Sequence, residues 1–274
     1  MLSKKIDFAI IMKITNANPN GDPLNGNRPR SNYEGYGEMS DVCLKRKIRN
    51  RLLDAGEKIL VQSDDYRTDG CRSIKDRYEA NEEIKKLAKE KDGEKKARVA
   101  CEQWFDVRAF GQVLAGVDDE NKSIAIRGPV SMQSAFSVES VVITTTQITK
   151  SVNLVTDEKD PSKKSGDTMG TKHRVDKAVY VTYGSINRQL AEKTGFSDDD
   201  AEKLKNAMLK MFENDESSAR PAGSMEVLKV IWWTHNVKTL SSAAVHRSLN
   251  VNPDGSYNLN LLDGVNSAEF DGQS

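Results

Sequence analysis

Apolar and polar positions fall into three patterns along this chain. The first is a short continuous apolar run, Phe8-Ala-Ile-Ile-Met-Lys-Ile14. It predicts a buried strand over residues 6–15, because a strand covered on both faces has no polar alternation. The second pattern is helical. Leu44, Ile48 and Leu52 lie at i, i+4 and i+8 and predict a helix from Asp41 to Leu53, with Ser40 as its N-cap and Gly56 just past its end. Leu204, Ala207, Met208, Met211 and Phe212 predict another, opened by the capping-box-like Ser197-Asp-Asp-Asp200. Ile74–Lys91 reads as a charged, weakly amphipathic helix stopped by Asp92-Gly93. The third pattern is β. Val138–Ile148 carries Val141, Val142, Ile143 and a threonine run, and Lys177–Gly184 alternates through Val179, Val181 and Tyr183. Met225–Thr234 is a further strand, and Asn252-Pro-Asp-Gly255 is a turn joining Leu249–Val251 to Tyr257–Leu259.

Without its long insertions the chain runs strand, helix, strand, strand, helix, strand. That order predicts an α+β fold of the ferredoxin-like or RRM type. One insertion, residues 60–103, separates the first helix from the second strand. The other, residues 150–176, interrupts the central pair. The expected division is a palm of residues 1–59, 104–149 and 177–274, a helical insertion of 60–103 and a separate element of 150–176. No internal repeat is present.

Composition narrows the function classes. The 274 residues carry 41 Lys and Arg against 41 Asp and Glu, so phosphate binding would have to rest on local patches. No apolar run approaches a membrane span, and Asp7 and Lys13 interrupt the only N-terminal candidate for a signal peptide. Cys43, Cys71 and Cys101 show no CxxC spacing, which argues against structural zinc or a disulfide framework and leaves a reducing cytoplasm as the simplest compartment. There is no GxxxxGK[ST] loop, no HExxH and no His–Asp neighbour, and His173, His235 and His246 stand apart. The RNP1 pattern of ordinary RRMs is absent, so phosphate contact is a better expectation than base stacking on the sheet. No catalytic residue, metal or cofactor is expected.

The candidate chemistry is cationic. The segment after the first strand, Asn16-Ala-Asn-Pro-Asn-Gly-Asp-Pro-Leu-Asn-Gly-Asn-Arg-Pro-Arg30, is built of turn formers and hydrogen-bonding side chains. Gly21 and Gly26 permit positive φ, so the loop could turn backbone N–H groups toward an anion, with Asn18, Asn20, Arg28 and Arg30 beside them. The first helix holds Lys45, Arg46, Lys47, Arg49 and Arg51. These are either solvated flanks of a buried stripe or one wall of a phosphate track. Lys150–Asp176 contains Lys159, Lys163, Lys164, Lys172, His173 and Arg174, and its composition fits a disordered segment and a clamping arm equally well. Met169 could wedge beside a base. Trp104-Phe-Asp-Val-Arg-Ala-Phe-Gly111 pairs aromatics with Asp106 and Arg108, and Arg127–Ser134 is a turn whose Ser131 and Gln133 could border the groove.

Asn18-Pro-Asn-Gly-Asp-Pro23 with Arg28, the Trp104–Gly111 segment, Gly128-Pro-Val130 and Met169-Gly-Thr-Lys172 occur in an order that resembles the type I-C backbone subunit of CRISPR Cascade, a member of the RAMP superfamily. The resemblance spans about residues 6–235. It implies an RRM-like palm, a helical insertion and a β-hairpin thumb at about Lys150–Asp176. It implies a non-catalytic subunit that binds the CRISPR RNA backbone, stacks head to tail with copies of itself and other Cascade subunits, and leaves guide bases free to pair with target DNA. Two other classes remain open: a metal-dependent RNA endonuclease of the same superfamily using Asp22 or Asp41, and an RNA-free structural protein whose basic helix docks an acidic partner.

Overall fold

The structure is a computed structural model and describes residues 1–87, 92–115, 123–149, 169–236 and 240–273. In chain order the elements are β1 (Ile6–Ala17), β2 (Gly21–Asp22), β3 (Arg28–Pro29), β4 (Tyr36–Met39), α1 (Asp41–Asp54), α2 (Ile74–Ala80), α3 (Glu82–Lys86), α4 (Gly93–Gln103), α5 (Phe105–Phe110), β5 (Gly111–Ala115) and β6 (Ser123–Arg127). Then follow β7 (Val130–Met132), β8 (Ala135–Ser140), β9 (Ile143–Thr149), β10 (Met169–Ile186), α6 (Arg188–Thr194), α7 (Asp198–Leu209), β11 (Met225–His235), α8 (Ser242–His246), β12 (Leu249–Val251), β13 (Tyr257–Leu259) and β14 (Val265–Asp271). The molecule is a mixed α+β fold around one antiparallel sheet, with the strand path β14-β11-β1-β10-β8-β4.

The apolar run at the start becomes the centre of that sheet. Phe8, Ile10, Met12 and Ile14 face a core completed by Leu44, Ile48 and Leu52 of α1 and by Leu204 and Met208 of α7. Ala9 and Ile11 face the other way, into a second core with Val179, Ile231, Trp233, Val245, Leu249 and Val265. Both faces are therefore covered, which is why β1 shows no polar alternation. The cover on the second face comes from α8 and the β12–β13 hairpin, while β14 extends the sheet itself beside β11. Tyr183 packs there against His246, with ring centroids 4.9 Å apart.

β10 is shared by several partners along its length. From Val175 to Ile186 one edge pairs with β1. Its other edge is shared by β7 at Gly184–Ile186, β8 at Tyr180–Val181 and β9 at Met169–Val175. Beyond Val175 the strand leaves β1 and continues with β9 as a two-stranded ribbon whose side chains are mostly exposed.

The local signals in the sequence operate as chemistry requires. Ser40 Oγ accepts from Cys43 N at 3.3 Å and caps α1. Ser197 and Asp200 form the reciprocal capping box of α7. Several expectations need correction. The charged helix over Ile74–Lys91 is broken at Asn81, whose extended backbone ends α2 and whose side chain caps α3, while residues 88–91 lie outside the described residues. The strand over Val138–Ile148 is two strands, β8 and β9, separated at Val141–Val142. Residues 169–176, assigned by composition to an irregular arm, are ordinary strand. The rest of that arm, 150–168, with Lys159, Lys163 and Lys164, lies outside the described residues.

The 60–103 insertion carries its own small core: Leu60, Tyr78, Ile84, Ala100 and Cys101 pack with Trp104, Val107 and Leu114, and Ile124 and Ile126 of β6 close it. That core therefore draws in the segment after residue 103 as well.

Candidate nucleic-acid interface

The Asn/Gly/Pro loop folds back on itself through β2 and β3, pairing Gly21 with Pro29 and Asp22 with Arg28. Gly26 (φ 57°) and Asn27 (φ 58°) make the left-handed turn. Gly21 does not need positive φ; it needs space, because a Cβ there would sit 2.0 Å from Asn27 Oδ1. Part of the loop's backbone is committed to its own fold. Asn18 N donates to Ala219 O, Asn27 N to Asp22 O and Arg30 N to Asn20 O, while Leu24 N donates to the Asp22 carboxylate. These four backbone donors are therefore engaged within the protein.

Asn18 and Asn20 hold the loop in place. Asn18 is buried and donates to Asn27 O at 2.7 Å, leaving its Oδ1 buried without a partner. Asn20 Oδ1 accepts from both the N–H and the hydroxyl of Ser40, at 2.9 and 3.0 Å, and so ties the loop to the start of α1.

The cations of α1 are internally neutralised, unlike the open phosphate wall that the sequence suggests. Lys45 pairs with Asp41 at 3.0 Å and lies over the Phe110 ring. Arg49, 12% exposed, pairs with Asp106 at 3.0 Å. Arg46, Lys47 and Arg220 converge on Asp215. Burial lowers the Lys47 amine from its usual value, and Asp215 pushes it partly back. Arg51 pairs with Asp54 at 2.7 Å and bonds Tyr66 Oη.

Arg108 is equally committed, donating to both carboxylate oxygens of Asp200 at 2.8 and 3.1 Å and to Cys101 O at 2.7 Å. Burial alone would raise the Asp200 carboxyl, but these bonds and the Ser197 cap outweigh it and hold the group below the usual range. Asp106 accepts from Leu60 N and Val61 N as well as from Arg49. The Trp104–Gly111 segment is therefore a joint between the insertion and the helices of the main body.

The remaining candidates behave differently. Arg28 extends from β3 to the ribbon and donates to Thr145 Oγ1 at 3.2 Å. His173 Nδ1 meets the same oxygen at 2.8 Å from the neighbouring strand. Among the described residues Arg28 and Lys172 make no ion pair. Arg30 reaches Asp22 only at 3.6 Å and Arg174 reaches Asp176 only at 3.7 Å, and separations of this kind between exposed groups contribute little. The two cationic segments, distant in sequence, thus meet at one hydroxyl.

Strand alternation divides the ribbon. His173 pairs across with Thr145 and shares the face of Arg28, whereas Lys172 and Arg174 pair with Thr146 and Thr144 on the opposite face. Met169 is exposed at the described end of the ribbon, with Gln147 Nε2 donating to its sulfur at 3.0 Å. Ser131 sits exposed on β7, and Gln133 is exposed just beyond it; neither comes into hydrogen-bond contact with the Arg28–Thr145–His173 junction. Sequence reading missed Thr144 and Thr145. Their run registered only as β-propensity, and the signal that separates them is alternation across an exposed strand.

Histidine and aspartate, far apart in sequence, meet elsewhere in the fold. Asp7 of β1 accepts from His235 Nε2 at 2.6 Å and from Lys5 Nζ at 3.1 Å, and His246 Nε2 stands 3.8 Å from its other oxygen. The cluster is buried beneath the C-terminal cover. No group of three or more His, Cys, Asp or Glu among the described residues has the arrangement of a metal site, and no helix among them is long and apolar enough to cross a membrane.

The chain is similar to a protein of Haloferax volcanii described as CRISPR-associated protein Cas7, 26% identical over 232 residues. That match covers 79% of this chain and 66% of the relative's own length. Its fold is similar to a chain of a solved structure described as a CRISPR RNA-guided surveillance complex, pre-nicking. The TM-score is 0.53 at 16% identity, covering 88% of this chain and 81% of the other. The profile of the family described as CRISPR-associated protein Cas7 matches residues 4–266. The chain belongs to the Cas7 family of CRISPR-associated proteins.

Proposed function

We propose that this chain is a non-catalytic backbone subunit of a Cascade-type surveillance complex, of the type I-C kind, that grips CRISPR RNA through its ribose–phosphate chain. The observation that carries the reading is the junction at Thr145. There Arg28 of the first loop and His173 of the ribbon converge without an acidic partner among the described residues, while the α1 cations and Arg108 are neutralised internally. Arg28, a cation left without an acid on an exposed face, fits a polyanion, and the His173 ring stands beside it. Lys172 and Arg174 add basic side chains on the opposite face of the ribbon, and Arg30 extends the basic surface along the loop. Asn18, Asn20, Arg49 and Arg108 serve it by holding the loop and the helix, and Lys45 and Arg46 border it.

The fold supports the same reading. The path β11-β1-β10-β8 has the 4-1-3-2 order of a ferredoxin-like or RRM palm, and the β9–β10 ribbon stands where a thumb would rise. The sheet face that an ordinary RRM offers to bases is closed here by α8 and the β12–β13 hairpin. Contact with the RNA backbone is therefore favoured over stacking on the sheet, and a backbone-binding protein accepts any guide sequence. Base pairing then reads the target DNA, as in other guided systems. Equal numbers of acids and bases suit copies that stack head to tail. Asp22 and Asp41, the residues an endonuclease reading would use, are engaged by Leu24 N and by Lys45.

Titration of labelled single-stranded RNAs of unrelated sequence tests the proposal. Replacing Arg28 by Ala is expected to weaken binding by a similar factor for every sequence and to lower the slope of log K against log salt by about one. A loss confined to some sequences, or no binding by the unaltered chain at low salt, overturns it.

A further inference from the structure

We infer that Thr145 is a positioning residue for RNA binding. It fixes the directions of Arg28 and His173 so that both present donors to one backbone segment; the inference rests on the RNA-backbone reading above. A hydroxyl has one proton and two lone pairs. The Arg28 guanidinium can only donate, so Thr145 Oγ1 accepts from it across 3.2 Å. The same oxygen lies 2.8 Å from His173 Nδ1. The arrangement that satisfies all three groups has the Thr145 proton donated to Nδ1, which places the ring proton of His173 on Nε2. That nitrogen has no hydrogen-bond partner among the described residues and serves as an outward donor. Thr145 therefore settles two things at once: the reach of a loop cation and the tautomer of a ribbon imidazole. Preorganising both before RNA arrives removes an ordering cost from binding.

The register explains why this position alone can act so. Thr145 lies opposite His173, whereas Thr144 and Thr146 lie opposite Arg174 and Lys172 on the other face. Thr144 is already engaged with Asp176 at 2.9 Å. No other side chain joins the loop to the ribbon by a hydrogen bond to Arg28 among the described residues.

The test uses the full chain and a fluorescein-labelled oligouridine RNA, read by anisotropy across a salt series. T145V keeps the β-branched shape and loses the hydroxyl, T145S keeps the hydroxyl, and R28A serves as the reference. T145V is expected to weaken binding about tenfold with the salt slope unchanged, since no phosphate contact is deleted. T145S is expected to bind within about twofold of the unaltered chain, and R28A to lower the slope. Hydrogen exchange without RNA gives a second readout: amides of residues 21–30 should exchange faster in T145V and not in T145S. If T145V binds like the unaltered chain, or T145S is as weak as T145V, the inference fails while the RNA reading stands. If the unaltered chain binds no RNA, the RNA reading itself fails and this inference with it.

Discussion

At the scale of single residues, charge in this protein is sorted by whether an acid lies within reach. Asp106 shows the structural use. Its two oxygens take the N–H groups of Leu60 and Val61 and the guanidinium of Arg49. Asp106→Ala leaves those donors without an acceptor in a buried joint, and it is expected to lower unfolding stability by about 3 kcal/mol, read from the urea midpoint. Sequence reading names the residues of this joint but not its partners. The sequence has Asp106 and Arg108 satisfying backbone groups or each other; both meet backbone groups, and their charged partners, Arg49 and Asp200, lie on other elements. Arg28 and His173 were legible as candidates in the two basic segments, one after the first strand and one near the middle of the chain. Their meeting was not, because it depends on register between β9 and β10, and register is set by pairing that no local pattern reports.

At the scale of elements, β10 links the core to the ribbon and sets demands along its length. Gly184 is one. A Cβ there would meet Phe8 Cζ at 2.1 Å and Ser131 O at 2.5 Å, the latter a backbone atom of β7 that cannot swing aside. Gly184→Ala is expected to cost about 2 kcal/mol through overpacking and to lower the thermal midpoint without altering secondary-structure content by circular dichroism. Elements with strong local signals were readable from sequence: the buried run of β1, the stripe and Ser40 cap of α1, the capping box of α7. The break between α2 and α3 was not, because Asn81 fits a solvated helix by composition and is diverted by capping the next one. The first half of β10 was not, because Gly170, Lys172 and Arg174 lack strand propensity and are held by hydrogen bonding to β9.

At the scale of the whole molecule, two buried groups tie stability to acidity. His246 lies beneath the C-terminal cover, bonded to Gly184 O at 3.1 Å. Around it stand Asp7 and Lys5, His235 and Trp233 of β11, and Tyr183 of β10. Burial lowers its imidazole from the usual 6.5, against a smaller upward pull from Asp7. The unfolded chain therefore takes up this proton first, so the contribution is complete above about pH 6.5 and declines as pH falls below it. Asp200 is held below its usual 3.8, so its contribution persists to lower pH and is lost as pH falls through that depressed value. Urea midpoints measured from pH 8 to pH 3 are expected to fall in two stages. H246Q should flatten the upper stage and spare the lower.

The place of β1 at the middle of the sheet also bears on biosynthesis. It leaves the ribosome well before its two flanking strands, β10 and β11, which comprise residues 169–186 and 225–235. At roughly 5–20 residues per second, its isoleucine-rich edges wait on the order of ten seconds or more for their neighbours. Through that interval the nascent polypeptide carries a sticky, unmated ribbon of backbone. Slowing translation would prolong the hazard, and a holding chaperone engaging Ile6–Ala17 would relieve it.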